Sequence, residues 1–223
     1  MEAKKYQIIF ATGNQGKIRE IKAIIDHSRT IKEQDAGSSA APEIEVLSME
    51  EAGVRSDPEE NGDTFEDNAL IKARAVYELL AARKAPEGTV RIVMSDDSGL
   101  EIDALGSAPG VHSARYMGYD TDYRIRMEYL LKELENRPDE ERSARFVAAV
   151  AAILPDGQSM TVRGTMEGKI GYSISGTNGF GYDPFFYPLG YDRTSAEISP
   201  EEKNRISHRG KALREILIRL ELI

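Results

Sequence analysis

Apolar and polar positions alternate along this chain with two periods, and together they predict an α/β protein. The run YQIIFA, residues 6–11, reads as a strand feeding a glycine-containing turn, and GKIREIKAIID sets Ile18, Ile21 and Ile25 on one face of a helix. A polar stretch follows from about residue 27 to 63, with DAGSSAAPE and SDPEENGD as its loops, and no element is assigned within it. DTFEDNALIKARAVYELLAARK predicts a long helix, capped by Asp63 or Thr64, with Leu70, Ala73, Tyr77 and Leu80 at helical spacing. TVRIVM, residues 89–94, is short and β-branched, a buried strand expected to end at Asp96 and Asp97. TDYRIRMEYLLKELENRP gives a further amphipathic helix through Ile125, Tyr129, Leu130 and Leu134, stopped near Pro138. Two extended segments then flank Pro155, Asp156 and Gly157, which predicts an antiparallel hairpin and hence a mixed sheet. Ser199, Pro200, Glu201 and Glu202 open a C-terminal helix that carries Leu213, Ile216, Leu217 and Leu220.

With 223 residues, 40% apolar and 30% charged, the chain has enough core for one large domain or two interdigitated lobes. No repeat or composition break divides it, so residues 1–223 are treated as a single domain. No apolar run is long enough to span a bilayer, and MEAKKYQIIFATG lacks the pattern of a secretory signal; the expectation is a cytoplasmic protein without membrane contact. The absence of cysteine excludes disulfides, thiolate metal sites and a cysteine nucleophile, leaving oxygen and nitrogen groups to do the chemistry. A net charge of −9 argues against nucleic acid as a partner but permits a local basic pocket for a small anion.

Five segments bear chemistry. TGNQGK, residues 12–17, lies between strand and helix, where free N–H groups, the positive helix end and Lys17 suit a phosphate chain, although the P-loop spacing is not met. Taken alone, it also reads as a glycine turn with a surface lysine. Side chains alternate along a strand, so Asp96 and Asp97 are not expected to share a target. One of them suits Mg²⁺ ligation or water activation, unless the segment is merely an Asx turn. EENG, residues 59–62, offers Glu59 or Glu60 as a second oxygen ligand, or else solvated loop acids. In GTNGFGYDPFFYP, residues 176–188, Phe180, Tyr182, Phe185 and Phe186 beside glycine-rich backbone suit a nucleobase, or else form an aromatic core corner. EEKNRISHRGKAL gathers Lys203, Arg205, His208, Arg209 and Lys211 in an acidic protein, donors for phosphate or for a base carbonyl, or a solvated helix face. Together they imply one ligand with a phosphate chain, a divalent cation and a planar base.

In this order, ATGNQGK, EENGDTFEDNALIKA, DDSGLEIDALGSAPGVHSARY, GFGYDPFF and EEKNRISHRGKAL resemble the inosine triphosphate pyrophosphatase family over about residues 6–220. The resemblance implies cleavage of ITP, dITP and XTP to the nucleoside monophosphate and pyrophosphate with Mg²⁺. It implies an elongated, two-lobed α/β fold, a long twisted mixed sheet flanked by helices with the site in the cleft between lobes, and a homodimer. By motif, Thr12, Gly13, Asn14, Gln15, Gly16 and Lys17 would contact the triphosphate. Asp97 would be the metal-linked general base, and Ser98 would touch substrate. Phe180, Gly181, Tyr182, Asp183, Lys203, His208 and Arg209 would form the base and substrate pocket. The acidic metal ligand falls on the Glu59–Glu60 pair, with Glu59 favoured. Ser95 stands where a small apolar residue is expected, AARKAPEGTVR looks longer than in compact bacterial members, and residues 27–50 match poorly, so no role is transferred there.

Overall fold

The structure, a computed structural model, describes residues 5–35 and 42–223. Six strands form a mixed sheet in the order β2-β1-β3-β4-β5-β6. They are β1 (Lys5–Phe10), β2 (Glu43–Ser48), β3 (Thr89–Ile102), β4 (Ser143–Ile153), β5 (Ser159–Ile170) and β6 (Phe186–Pro188). The helices are α1 (Gln15–Asp35), α2 (Phe65–Leu80), α3 (Tyr123–Glu133), α4 (Pro200–Ile206) and α5 (His208–Arg219).

β1 pairs in parallel with β2 on one side and β3 on the other, and Phe10 stands opposite both Ser48 and Met94. The chain therefore leaves β1 through α1 toward β2 and returns through α2 to the far side of β1. Where connections depart in opposite directions from the carboxyl ends of neighbouring parallel strands, the loops leave room for a ligand. β5 and β6 are antiparallel. Neighbouring β4 and β5 are joined by a tight turn in which the Leu154 N–H donates to the Gln158 carbonyl and Gly157 takes a φ of 85°. So short a link permits only an antiparallel pair, the hairpin expected from Pro155, Asp156 and Gly157.

The chain makes two compact units, each assembled from separated segments. The first holds the chain through Asp97 with Ala149–Arg163 and Gly210–Ile223; the second holds Ser98–Ala148 and Gly164–Arg209. In the first, Ile8, Ile9 and Phe10 of β1, Ile18, Ile21 and Ile25 of α1, and Ile216 and Leu217 of α5 are buried. In the second, Leu100, Ile102, Leu130, Phe146, Met166, Phe185 and Phe186 share one apolar cluster.

Several expectations are corrected. β3 does not stop before the acidic pair; it runs unbroken through Asp96, Asp97 and Ser98 to Ile102, and only its parallel pairing with β1 ends, at Met94. Asp-Asp-Ser-Gly has the composition of a turn, but both carboxylates are buried against cations and the backbone stays extended. The polar stretch left unassigned contains the end of α1 and all of β2, while most of DAGSSAAPE lies outside the described residues. On α2 the buried face is Phe65, Asn68, Ala69, Ala73, Val76 and Leu80, so Leu70 and Tyr77 are not core positions. On α3 Arg126 is buried where Ile125 was expected, because its guanidinium donates to the carbonyls of Ser113, Ala114, Gly118 and Tyr119. The single C-terminal helix is two, broken where Ser207 turns extended (φ −66°, ψ 152°). Among the described residues, no helix is long and apolar enough to cross a membrane.

Candidate active site

The loop after β1 is organised by Asn14. Its Oδ1 accepts from the N–H groups of Gly16 at 2.9 Å and Lys17 at 3.1 Å, while its own N–H donates to Thr12 Oγ1 at 3.2 Å. This caps α1 from its own loop, satisfying donors that a helix start leaves open. A Cβ added at Gly13 would meet nothing within 4 Å, so the backbone there is open to close approach. Thr12, Gly13 and Gln15 line a cavity of about 570 Å³ together with Ser48, Arg55 and Asp57. Lys17 does not line this cavity; its ammonium lies 3.2 Å from Asp96 Oδ2.

Asp97 occupies different company. Lys72 Nζ lies 3.3 Å from Asp97 Oδ1 and 2.9 Å from Glu60 Oε2, and Asn68 Nδ2 donates to Asp97 Oδ2 at 3.2 Å. The neighbouring carboxylates therefore bind different lysines, as strand alternation requires. Burial raises the Asp97 pKa above the usual carboxylate value, Lys72 opposes this, and the negative charges of Glu60 and Asp96 reinforce it. Burial works against the Lys72 charge too, but attraction to Asp97, Asp96 and Glu60 wins and its pKa is raised. A buried carboxylate with an upward-shifted pKa beside a fixed cation is suited to taking a proton from water.

Of the two loop acids, Glu60 reaches this cluster; Glu59 is exposed, and its carbonyl accepts the Asn61 N–H. Among the described residues, no group of three or more histidines, aspartates or glutamates is arranged to enclose a cation. Glu60 and Asp97 converging on one ammonium do match the needs of Mg²⁺, which takes one or two carboxylates and completes its shell with water and phosphate oxygens. Sequence reasoning missed Asn68 and Lys72. Their signal was present: an amide and an amine, one turn apart, on or beside the otherwise apolar buried face of α2.

In the second unit, Phe180 is the exposed ring of the aromatic segment, at 44% of its surface. Lys203 Nζ and the Arg209 guanidinium each lie 5.5 Å from its centroid. Lys203 is held by Asp183 Oδ2 at 2.5 Å, and the same oxygen accepts the Phe180 N–H at 2.9 Å, so one carboxylate fixes both the cation and the backbone under the ring. Arg209 Nη2 donates to Ser98 Oγ at 2.9 Å. Gly181 takes a φ of 67°, open to glycine at no steric cost. Others of the expected pocket residues also carry internal contacts. Tyr182 is buried, donates its hydroxyl to the Ser113 carbonyl and packs edge-on against Tyr123. Burial pushes its phenol well above the ordinary value. Phe185 and Phe186 are fully buried, and His208 stacks on Phe146 at 5.0 Å, buried against that ring rather than presented on the surface.

The Ham1 family model matches residues 8–218. A dITP/XTP pyrophosphatase of Bacillus licheniformis is 42% identical over 210 residues, covering 94% of this chain and 95% of the relative. One from Bacillus subtilis is 40% identical over 215 residues, covering 96% and 97%. The solved Ham1 protein of Staphylococcus aureus superposes with a TM-score of 0.77 at 36% identity, covering 96% of this chain and 98% of that one.

Proposed function

This chain belongs to the Ham1 family, and from that membership we propose that it hydrolyses the non-standard purine triphosphates ITP, dITP and XTP to the nucleoside monophosphate and pyrophosphate. Such an enzyme clears deaminated purines from the nucleotide pool. The observation that carries the chemistry is Asp97, buried, raised in pKa and gripped on both oxygens by Lys72 and Asn68, beyond the end of the β1–β3 pairing.

In the reaction we infer, Asp97 accepts a proton from a water whose oxygen attacks the α phosphorus. The bond from that phosphorus to the oxygen bridging to the β phosphate breaks, and pyrophosphate leaves with the electron pair. Thr12, Gly13 and Gln15 receive the phosphate chain at an open backbone, with Lys17 adding positive charge behind the loop. Glu60 and Asp97 would hold Mg²⁺, which when bound neutralises phosphate charge in the transition state. Lys72 keeps the two acids ionised and close without mutual repulsion. Phe180 offers a ring face for stacking. Lys203, His208 and Arg209 are the donors for a 6-keto oxygen; adenine's amino group, itself a donor, would not accept from them. The family resemblance also supports a homodimer, which sedimentation velocity tests.

The deciding experiment follows dITP and Mg²⁺ by phosphorus NMR. Pyrophosphate with the monophosphate is the expected product. Binding without turnover would identify a nucleotide sensor, and a phosphorylated acceptor a phosphotransferase; either defeats the hydrolytic reading.

A further inference from the structure

We propose that Asn68 is a positioning residue for this reaction, a brace that aims the Asp97 carboxylate and at the same time docks the loop carrying Glu60. The proposal rests on the hydrolytic reading above and adds to it a residue that does not touch substrate. Asn68 is fully buried on α2. Its Nδ2 donates to Asp97 Oδ2 at 3.2 Å, and its Oδ1 accepts the Gly62 N–H at 2.8 Å. The orientation of the amide follows from its partners: a carboxylate only accepts and a backbone N–H only donates, so the side chain fits both one way round.

Three features make this more than a buried polar group finding partners. Asn68 and Lys72, a helical turn apart, take different oxygens of the same carboxylate, which fixes the plane of Asp97 and not merely its position. Second, the other end of the amide reaches Gly62, two residues beyond Glu60, the acid that shares Lys72 with Asp97. Third, the loop is built to close on this side chain. A Cβ at Gly62 would lie 2.6 Å from Asp67 Cβ and 2.9 Å from Asn68 Oδ1, contacts that force the loop outward. Purely structural filling of the site would need no donor aimed at the reacting acid; here one bond ends on Asp97 and the other on the loop that carries Glu60.

Asn68→Ala and Asn68→Asp separate the two halves of the brace, because the aspartate keeps an oxygen for the Gly62 amide but has no donor for Asp97. Turnover of dITP should fall on the order of 10- to 100-fold in both, the range for lost outer partners of liganding groups. KM should stay within about threefold, since the interaction removed is not one made with bound substrate. Hydrogen exchange at the Gly62 amide should quicken in Asn68→Ala and stay as in wild type in Asn68→Asp. Should Asn68→Ala fail to fold, Asn68→Ser, too short to reach both partners, carries the same expectations. A kcat within about twofold of wild type in either variant, or a KM that rises as far as kcat falls, overturns the proposal. So does unchanged Gly62 exchange in Asn68→Ala. Wild-type protein that releases no pyrophosphate would instead defeat the hydrolytic reading, and the exchange result would still report on the brace.

Discussion

Lys17 Nζ lies 3.2 Å from Asp96 Oδ2, with the aspartate side chain wholly buried and the lysine 18% exposed. The lysine in the first turn of α1 is thus paired with Asp96 while Lys72 is paired with Asp97, and the two members of the acidic pair are separable by mutation. Asp96→Asn removes a buried charge partner and should cost about 3 kcal/mol of stability, at the low end for such pairs because the amide still accepts one bond. Its kcat should fall by less than about tenfold, whereas Asp97→Asn, which removes the base, should lose on the order of 10³-fold at nearly unchanged stability. Urea midpoints and steady-state rates for both variants check this. Equal losses of turnover would end the division of labour.

Lys72 is the cation that Glu60 and Asp97 share. Its attraction lowers the Asp97 pKa against the effect of burial, so Lys72→Met should move that pKa further up. Titration of the Asp97 carboxyl carbon by NMR in metal-free protein reads the shift directly. A downward move, or none, contradicts the arrangement.

Glu51 gives a stability prediction with a defined pH window. Its carboxylate accepts the Ser48 N–H at 2.7 Å and pairs with Lys22, while the Glu51 backbone N–H donates to Ser48 Oγ at 3.1 Å. The Ser48 backbone bond, then Lys22, lower its pKa from 4.5 to about 2. A depressed folded value means that the ionised form contributes stability above about pH 4.5 and that this is lost as pH falls through about 2. The melting temperature of Glu51→Gln should therefore lie below wild type at neutral pH, with the gap closing toward pH 2. With 46% of the side chain exposed, solvent screening keeps the gap small. A gap independent of pH would show that charge is not its source.

Gly179 tests the surroundings of the exposed ring. It takes a φ of 77°, and a Cβ there would stand 2.2 Å from Asp183 Oδ2, the oxygen that holds Lys203 and the Phe180 N–H. Gly179→Ala should dislodge that carboxylate and raise KM for dITP by about tenfold while kcat changes little, the signature of lost substrate binding. A selective fall in kcat would place this segment in the chemical step instead.

Much of this was legible before the fold was known. The helix over Phe65–Leu80 was readable because Thr64 caps it, accepting from the Asp67 N–H, and its apolar spacing is regular. The Pro155-Asp156-Gly157 turn was readable because Gly157 supplies the positive φ that a tight hairpin needs. Strand alternation separated the target of Asp97 from that of Asp96, and the family resemblance, not the residues alone, picked out Asp97. What failed was everything decided by distant partners. Ile125 looks like a core residue until four carbonyls of the preceding loop claim Arg126 instead. Nor does the chain order show that the Tyr182 hydroxyl donates to the Ser113 carbonyl or that His208 stacks on Phe146.

The sequence by itself determined which residue types were available and in what local geometry: an open loop ahead of a helix, a carboxylate pair on alternating faces of a strand, a glycine-rich aromatic segment and a basic helix. Those features depend on backbone preferences and periodicity, which act over a few residues. Tertiary structure alone decided which charge met which. Lys17 went to Asp96, Lys72 joined Glu60 to Asp97, and Asn68 linked Asp97 to the Gly62 loop. Such pairings join positions up to 79 residues apart in the chain, and a buried charge takes whichever partner the packing of helix on sheet brings within a few ångströms, because leaving it without one is too costly.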